Sequence, residues 1–146
     1  MLIDAKPSLT TLEVRELLQL AVHEDASALA AATEMYGSEE SGCLLRLYQE
    51  EGETIGLIGF EMNAAGTLII RHISVYPEFR NQGFGRGLIL EALMEQSPDT
   101  IAAEVDEEAA DFYRNIGFTV TSVGPDHSGN ERFKCMYHAV ESEDEY

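Results

Sequence analysis

The chain has 146 residues, with 27 acidic against 9 basic side chains, a net charge of −18 and an apolar share of 45%. That length suits one domain around one core, and the charge speaks against a nucleic-acid binder, which needs cations to displace counterions from phosphate. There is no apolar run of the roughly 18 residues a membrane span needs, no signal-peptide pattern after Met1, so a cytoplasmic protein is expected, and two isolated cysteines, Cys43 and Cys135, offer neither metal spacing nor a disulfide framework.

Leu9 to His23 reads as an amphipathic helix, because Leu9, Leu12, Leu17, Leu20 and Ala21 recur near helical spacing. Asp25 or Ser27 can cap a second, alanine-rich helix that stops near Gly37. The pattern then changes to period two. Strands are expected at Cys43–Gln49, Thr54–Met62 and Thr67–Val75, joined by turns at Glu50–Glu53 and Asn63–Gly66. Short turns of this kind make an antiparallel meander. After Pro77 come a glycine-rich loop, a helix over Gly85–Glu95, a strand at Thr100–Val105 and a helix over Glu107–Asn115 ended by Gly117. Phe118–Val123 and Glu131–Val140 are the last strands. The strand–helix–strand unit between Thr67 and Val105 predicts a right-handed crossover and hence a parallel pair. The result is an α/β (α+β) fold: a mixed sheet of six to seven strands with helices on both faces. Residues 1–140 form one domain, and the acidic tail, residues 141–146, is expected to be solvated and disordered.

The segment Val75-Tyr76-Pro77-Glu78-Phe79-Arg80-Asn81-Gln82-Gly83-Phe84-Gly85-Arg86-Gly87-Leu88 carries the strongest chemical signal. Three alternate glycines precede an amphipathic helix. Glycine lets the backbone turn tightly and approach a ligand. The amides and the positive end of the helix then form a pyrophosphate cradle. Arg80 and Arg86 can add charge-assisted hydrogen bonds, in a chain whose arginines gather here: Arg71, Arg80, Arg86 and Arg114. A Walker loop would need Gly-Lys-Ser/Thr, which is missing. A dinucleotide fingerprint would need its third glycine one residue later. Glycine spacing by itself leaves a plain turn before a helix as an alternative.

Arg80, Gly83 and Gly85, with Val75 and Pro77 upstream, resemble the Arg/Gln-x-x-Gly-x-Gly/Ala motif of the GNAT superfamily of N-acetyltransferases. Ala109-Ala110-Asp111-Phe112-Tyr113-Arg114-Asn115-Ile116-Gly117-Phe118 resembles that family's Ala-x-x-Phe-Tyr-x-x-x-Gly-Phe block. The two blocks stand in order, with one strand between them, and the likeness covers nearly the whole chain. The resemblance implies transfer of an acetyl group from acetyl-CoA to a primary amine, by direct attack in a ternary complex and without a metal. It implies a splayed pair of parallel strands holding the pantetheine arm through the backbone at Ile73 and Val75. The amides of Gln82, Gly83, Phe84, Gly85, Arg86 and Gly87 would wrap the pyrophosphate, with Arg80 and Asn81 also binding the cofactor, and an amide near Ile73 would polarise the thioester carbonyl.

Tyr113 matches the family tyrosine held to protonate the departing thiolate, beside a packing alternative next to Phe112. Asp106 stands where relatives carry an asparagine contacting pantetheine. An aspartate cannot donate, so capping the following helix is its other role. The family's usual positions for a general base hold Arg71 and Ile69 here. Strand alternation sends the neighbouring His72 to the opposite face, as a packed histidine. Glu104 is the preferred base, with pairing to Arg71 as its alternative role; Glu61 and a water chain are further options. The acceptor is a small-molecule or peptide amine, and the acidity favours a cationic one. Acidity also simply keeps a protein soluble. The resemblance leaves a homodimer through the last strands as an option. The missing obvious base keeps a second function open, a non-catalytic acetyl-CoA-binding sensor or interaction module. A nucleotide switch would need metal-phosphate ligands after the loop, and Gly87-Leu88 offers none.

Overall fold

Period-two patterning in the middle of the chain produces long strands, and the helices pack where that pattern leaves apolar faces. A computed structural model describes residues 1–139; the expected acidic tail and the last residue of the final strand lie outside them. The strands are β1 (Leu2–Asp4), β2 (Cys43–Glu50), β3 (Glu53–Met62), β4 (Thr67–Val75), β5 (Thr100–Val105), β6 (Thr119–Pro125) and β7 (Glu131–His138). The α-helices are α1 (Leu12–Ala21), α2 (Ala26–Gly37), α3 (Phe84–Gln96) and α4 (Glu107–Asn115). The sheet has seven strands in the order β1-β2-β3-β4-β5-β7-β6. Only β4 and β5 run parallel; the other neighbours are antiparallel.

Two apolar layers sandwich this sheet. On one face Val14, Leu17 and Leu18 of α1 and Ala32 and Tyr36 of α2 pack on Leu45, Leu47 and Leu57. On the other, Leu88, Ile89 and Ala92 of α3 and Tyr113 of α4 pack on Ile58, Phe60, Leu68, Ile70, Ile101 and Ala103. Leu57 and Ile58 are adjacent yet belong to opposite layers, as strand alternation requires.

The first helix is shorter than its periodicity suggests. Lys6–Ser8 forms a separate 3-10 turn, and α1 begins only at Leu12. Asp25 is the cap of α2, accepting from the amides of Ser27 and Ala28. β1 was not foreseen as a strand; at three residues it is too short for alternation to show.

A bulge separates the pairs Gly59–His72 and Phe60–Ile70, leaving Arg71 as the extra residue of β4. Gly59 has a second task. A Cβ built there would lie 1.9 Å from the Tyr36 hydroxyl oxygen, so the missing side chain is the notch through which Tyr36 crosses the sheet face. Gly59→Ala is expected to destabilise the fold by about 2–3 kcal/mol through overpacking, read as a lower urea midpoint. An unchanged midpoint would show that Tyr36 moves aside freely.

Candidate functional site

The β4–β5 ladder stops early. Thr67, Leu68 and Ile69 pair with Thr100, Ile101 and Ala102, and no register continues beyond them. From there β4 stays bonded to β3 as far as Val75, and β5 stays bonded to β7 as far as Val105. Two strands held by different neighbours therefore diverge, and a wedge opens between Ile70–Val75 and Ala103–Val105. Its facing main-chain groups have no ladder partners, so an extended chain can hydrogen-bond there as an added strand. Ile73 and Val75 both border this wedge, and each packs partly against the α3–α4 layer.

At the wide end of the wedge the chain turns into α3. Phe79 and Phe84 bracket the loop: their rings sit edge-on with centroids 6.1 Å apart, and Phe84 also meets Tyr48 at 6.0 Å. Residues 80–83 are thus strung between two anchors, exposed to solvent. Gly83 is the N-cap of α3 at φ 85°, a left-handed position that glycine takes without strain. Having no side chain, it caps nothing. Among the described residues the amides of Asn81, Gln82, Gly83, Phe84, Gly85 and Arg86 donate to no protein acceptor, and the first intrahelical bond runs from Gly87 N to Gly83 O at 3.0 Å. A helix start with free amides and no cap is an anion site in waiting.

Charge agrees with that reading. Arg46, Arg71 and Arg114 are bound to carboxylates, whereas among the described residues Arg80 and Arg86 are not. The Arg80 Nε donates to the Val75 carbonyl at 3.0 Å, bracing the loop and leaving its outer N–H groups free. Gln82 makes a similar brace to Glu78 O at 3.2 Å.

The three glycines are not equivalent. Around Gly83 and Gly87 nothing lies within 4 Å of an added Cβ. At Gly85 a Cβ would meet the Phe112 ring at 3.0 and 3.1 Å, so this glycine makes room for α4. Sequence spacing alone treats all three as points of ligand approach.

Tyr113 is buried between Phe112 and Phe118, edge-on to both, with centroids 5.0 and 5.1 Å away. Among the described residues its hydroxyl has no protein partner, and no buried side-chain polar atom lacks one. The oxygen is therefore the part of this side chain still in reach of solvent. Burial, and secondarily Cys135, pushes its pKa above the ordinary 10.0.

Asp106 caps α4, its Oδ1 accepting from Ala109 N at 2.9 Å, and its Oδ2 lies 3.8 Å from His23 Nε2 in the turn after α1. Glu104 is exposed on β5. Ile101 and Ala103 fill the α3–α4 layer, so alternation turns Glu104 to the α1–α2 face. It does not pair with Arg71. Arg71 is bound instead by Glu61, which also accepts from the Cys43 thiol at 3.5 Å; that bond to Arg71 holds the Glu61 carboxyl below its ordinary pKa.

His72 is not opposite Arg71, as plain alternation requires. The bulge at Arg71 resets the alternation, and both side chains lie on the α1–α2 face. The His72 Nδ1 is 2.7 Å from the Tyr36 hydroxyl, and the rings meet edge-on at 5.4 Å. On that same face a cleft of about 310 Å³ runs between α1 and the end of β4, lined by Glu16, Gln19, Leu20, Glu24, Tyr76 and Pro77. Among the described residues no three His, Cys, Asp or Glu side chains gather to hold a metal ion, and no helix is long and apolar enough to cross a membrane.

Comparison with known proteins agrees with this geometry. Residues 40–120 match the acetyltransferase (GNAT) domain family. The GCN5-related N-acetyltransferase 2, chloroplastic, of Arabidopsis thaliana is 30% identical over 79 residues, which are 52% of this chain and 31% of that protein. An uncharacterized N-acetyltransferase in the lysA 3′ region of Bacillus methanolicus is 37% identical over 76 residues, 52% of this chain and 62% of that one. The matches thus span less than two thirds of either relative. An aminoglycoside 6′-N-acetyltransferase solved with coenzyme A has the same fold, with a TM-score of 0.72 and 13% identity over 97% of this chain and 98% of that one.

Proposed function

This chain belongs to the GNAT acetyltransferase family, and from that premise we propose that it moves an acetyl group from acetyl-CoA to a primary amine of a small molecule or peptide. The observation that carries the reading is the wedge between β4 and β5, opening onto the free amides of α3. An edge of unpaired strand suits an amide-bearing arm, and an uncapped helix start flanked by Arg80 and Arg86 suits a diphosphate. Coenzyme A is bound in the aminoglycoside acetyltransferase of the same fold, which supports the choice of thioester.

Bound acetyl-CoA supplies an activated acyl group. The protein's share is to align it along Ile73 and Val75, hold its diphosphate on the amides from Asn81 to Arg86, and manage two protons; the Gly87 amide, expected in the cradle, is instead spent on the Gly83 carbonyl. The amine nitrogen forms a bond to the acyl carbon and the carbon–sulfur bond breaks. Tyr113 gives the sulfur its proton, since a bare thiolate is costly in a dry wedge. The attacking nitrogen sheds protons toward Glu104, and solvent returns one to Tyr113. Asp106 supports this end by fixing the start of α4, the helix that carries Tyr113. The acidic cleft at Glu16 and Glu24 favours a cationic amine.

The test is thiol release from acetyl-CoA against a panel of amines. Free thiol that appears only with an amine present is expected. Tight coenzyme binding without release across the panel would favour the sensor reading instead.

A pH prediction follows from Tyr113. Its pKa is raised, so the hydroxyl stays protonated up to pH 10 and beyond. The kcat profile should show no alkaline loss from this group below that pH. The same shift stabilises the fold fully below pH 10, and that stabilisation fades as pH climbs toward the raised value. An alkaline limb below pH 10 that vanished in Tyr113→Phe would show this hydroxyl titrating in its ordinary range and would contradict the raised pKa.

A further inference from the structure

The acceptor side of the wedge carries a pair of hydrogen-bond donors that acetyl transfer alone does not require. The bulge sets Arg71 and His72 side by side on the α1–α2 face, in the part of β4 that has no partner in β5. The direction of the Tyr36–His72 bond follows from what each group has left. Tyr36 is 1% exposed, and among the described residues its hydroxyl has no acceptor other than His72 Nδ1. A buried O–H without an acceptor costs about 1–3 kcal/mol, and burial also pushes the Tyr36 pKa upward, keeping the proton in place. The His72 Nε2 is under no such constraint. Among the described residues it has no protein partner, and no buried side-chain nitrogen or oxygen is unsatisfied, so Nε2 is open to solvent. Tyr36 therefore donates to Nδ1, and the ring proton sits on Nε2. Burial, then the Arg71 charge, lowers the His72 pKa and keeps the ring neutral.

The consequence is chemical. A neutral imidazole whose open nitrogen bears hydrogen offers no lone pair to an ammonium; it offers an N–H. Beside it stands a guanidinium with Glu61 as its carboxylate partner and other N–H groups to spare. Across the wedge, on the same face, is Glu104.

We propose that His72 and Arg71 select an acceptor bearing an oxygen next to its amine, an α-amino acid derivative or a peptide N-terminus. The carbonyl oxygen accepts from His72 Nε2–H and the ammonium points to Glu104. Tyr36 is the positioning residue that fixes the tautomer. A plain alkylamine offers the His72 N–H no carbonyl and leaves it to water, and a second ammonium on a diamine meets the charge of Arg71. The assignment rests on the acetyl-transfer reading and goes on to name its acceptor.

Thiol release is compared for L-leucinamide and 3-methylbutylamine, which share a skeleton and differ by the carboxamide, with rates expressed per unprotonated amine. A site built around a donor discriminates strongly against an analogue lacking the acceptor. The expected preference in kcat/KM is at least about tenfold for leucinamide. His72→Leu should erase that preference, and His72→Gln, which keeps an N–H, should restore most of it. No preference in the parent protein, or equal losses for both amines, overturns the proposal. Nitrogen NMR shifts of the parent His72 ring give a second reading. A proton on Nε2 is expected, and a proton on Nδ1 overturns the assignment however the variants behave. Calorimetry with coenzyme A separates the two failures. Absence of binding removes the acetyl-transfer reading, whereas binding without a leucinamide preference, or without turnover of either amine, removes only the acceptor class.

Discussion

Tyr113→Phe is expected to lower kcat by about 10²- to 10³-fold while coenzyme A affinity and thermal stability stay near those of the parent. The ring makes the packing contacts: Phe112 and Phe118 meet its edges and face, and the core layer below α4 touches its carbons. Among the described residues the hydroxyl has no protein partner, so removing it leaves no orphaned group behind. What vanishes is the proton for the departing sulfur. Single-turnover thiol release at saturating amine reads this directly. If the rate is unaltered, Tyr113 is a packing aromatic only, and the sulfur leaves by another proton source.

Gly83→Val should weaken coenzyme A binding by more than about 100-fold, roughly 2.7 kcal/mol. Gly83 sits at φ 85° at the mouth of α3, and no atom of the described residues lies within 4 Å of an added Cβ. The valine methyls therefore enter the space above the free amides, where the diphosphate is proposed to lie. A β-branched residue at positive φ also carries strain of about 1–2 kcal/mol, so the melting temperature should drop modestly. Gly87→Ala separates the two effects. That site also has open space, and alanine at this helical position stabilises by about 0.5–1 kcal/mol. If Gly83→Val binds coenzyme A like the parent in calorimetry, the cradle assignment fails. Gly85 is the wrong place for this test. Bulk there strikes Phe112 and displaces α4, so lost binding would not distinguish a blocked ligand from a shifted helix.

Much of the frame was legible because the signals are local. The bounds of β4, β5 and α4 follow from alternation, a Pro-Gly loop and an aspartate cap, and the structure places them at the same residues. The two family blocks lie within short stretches whose spacing survives any tertiary adjustment. The acceptor face was not legible, for three separate reasons. In Leu68-Ile69-Ile70-Arg71-His72-Ile73 nothing marks an extra residue, so alternation could not show that Arg71 and His72 share a face. The partner of Arg71 lies ten residues back on β3, reached through strand pairing. Tyr36 reaches His72 from 36 residues away, a contact set by how α2 docks on the sheet. The difference between Gly83 and Gly85 was hidden likewise, since it depends on where Phe112 comes to rest.

Gly59, Tyr36 and His72 together make a small lock: an absent methyl admits a phenol, and the phenol dictates where a proton resides on a ring beyond it. None of the three can drift alone. A relative with alanine at the first position must give up the tyrosine's path, and with it the fixed tautomer, so its histidine becomes free to accept rather than donate. Acceptor preference in such lineages would then change through a strand residue that never comes near the amine.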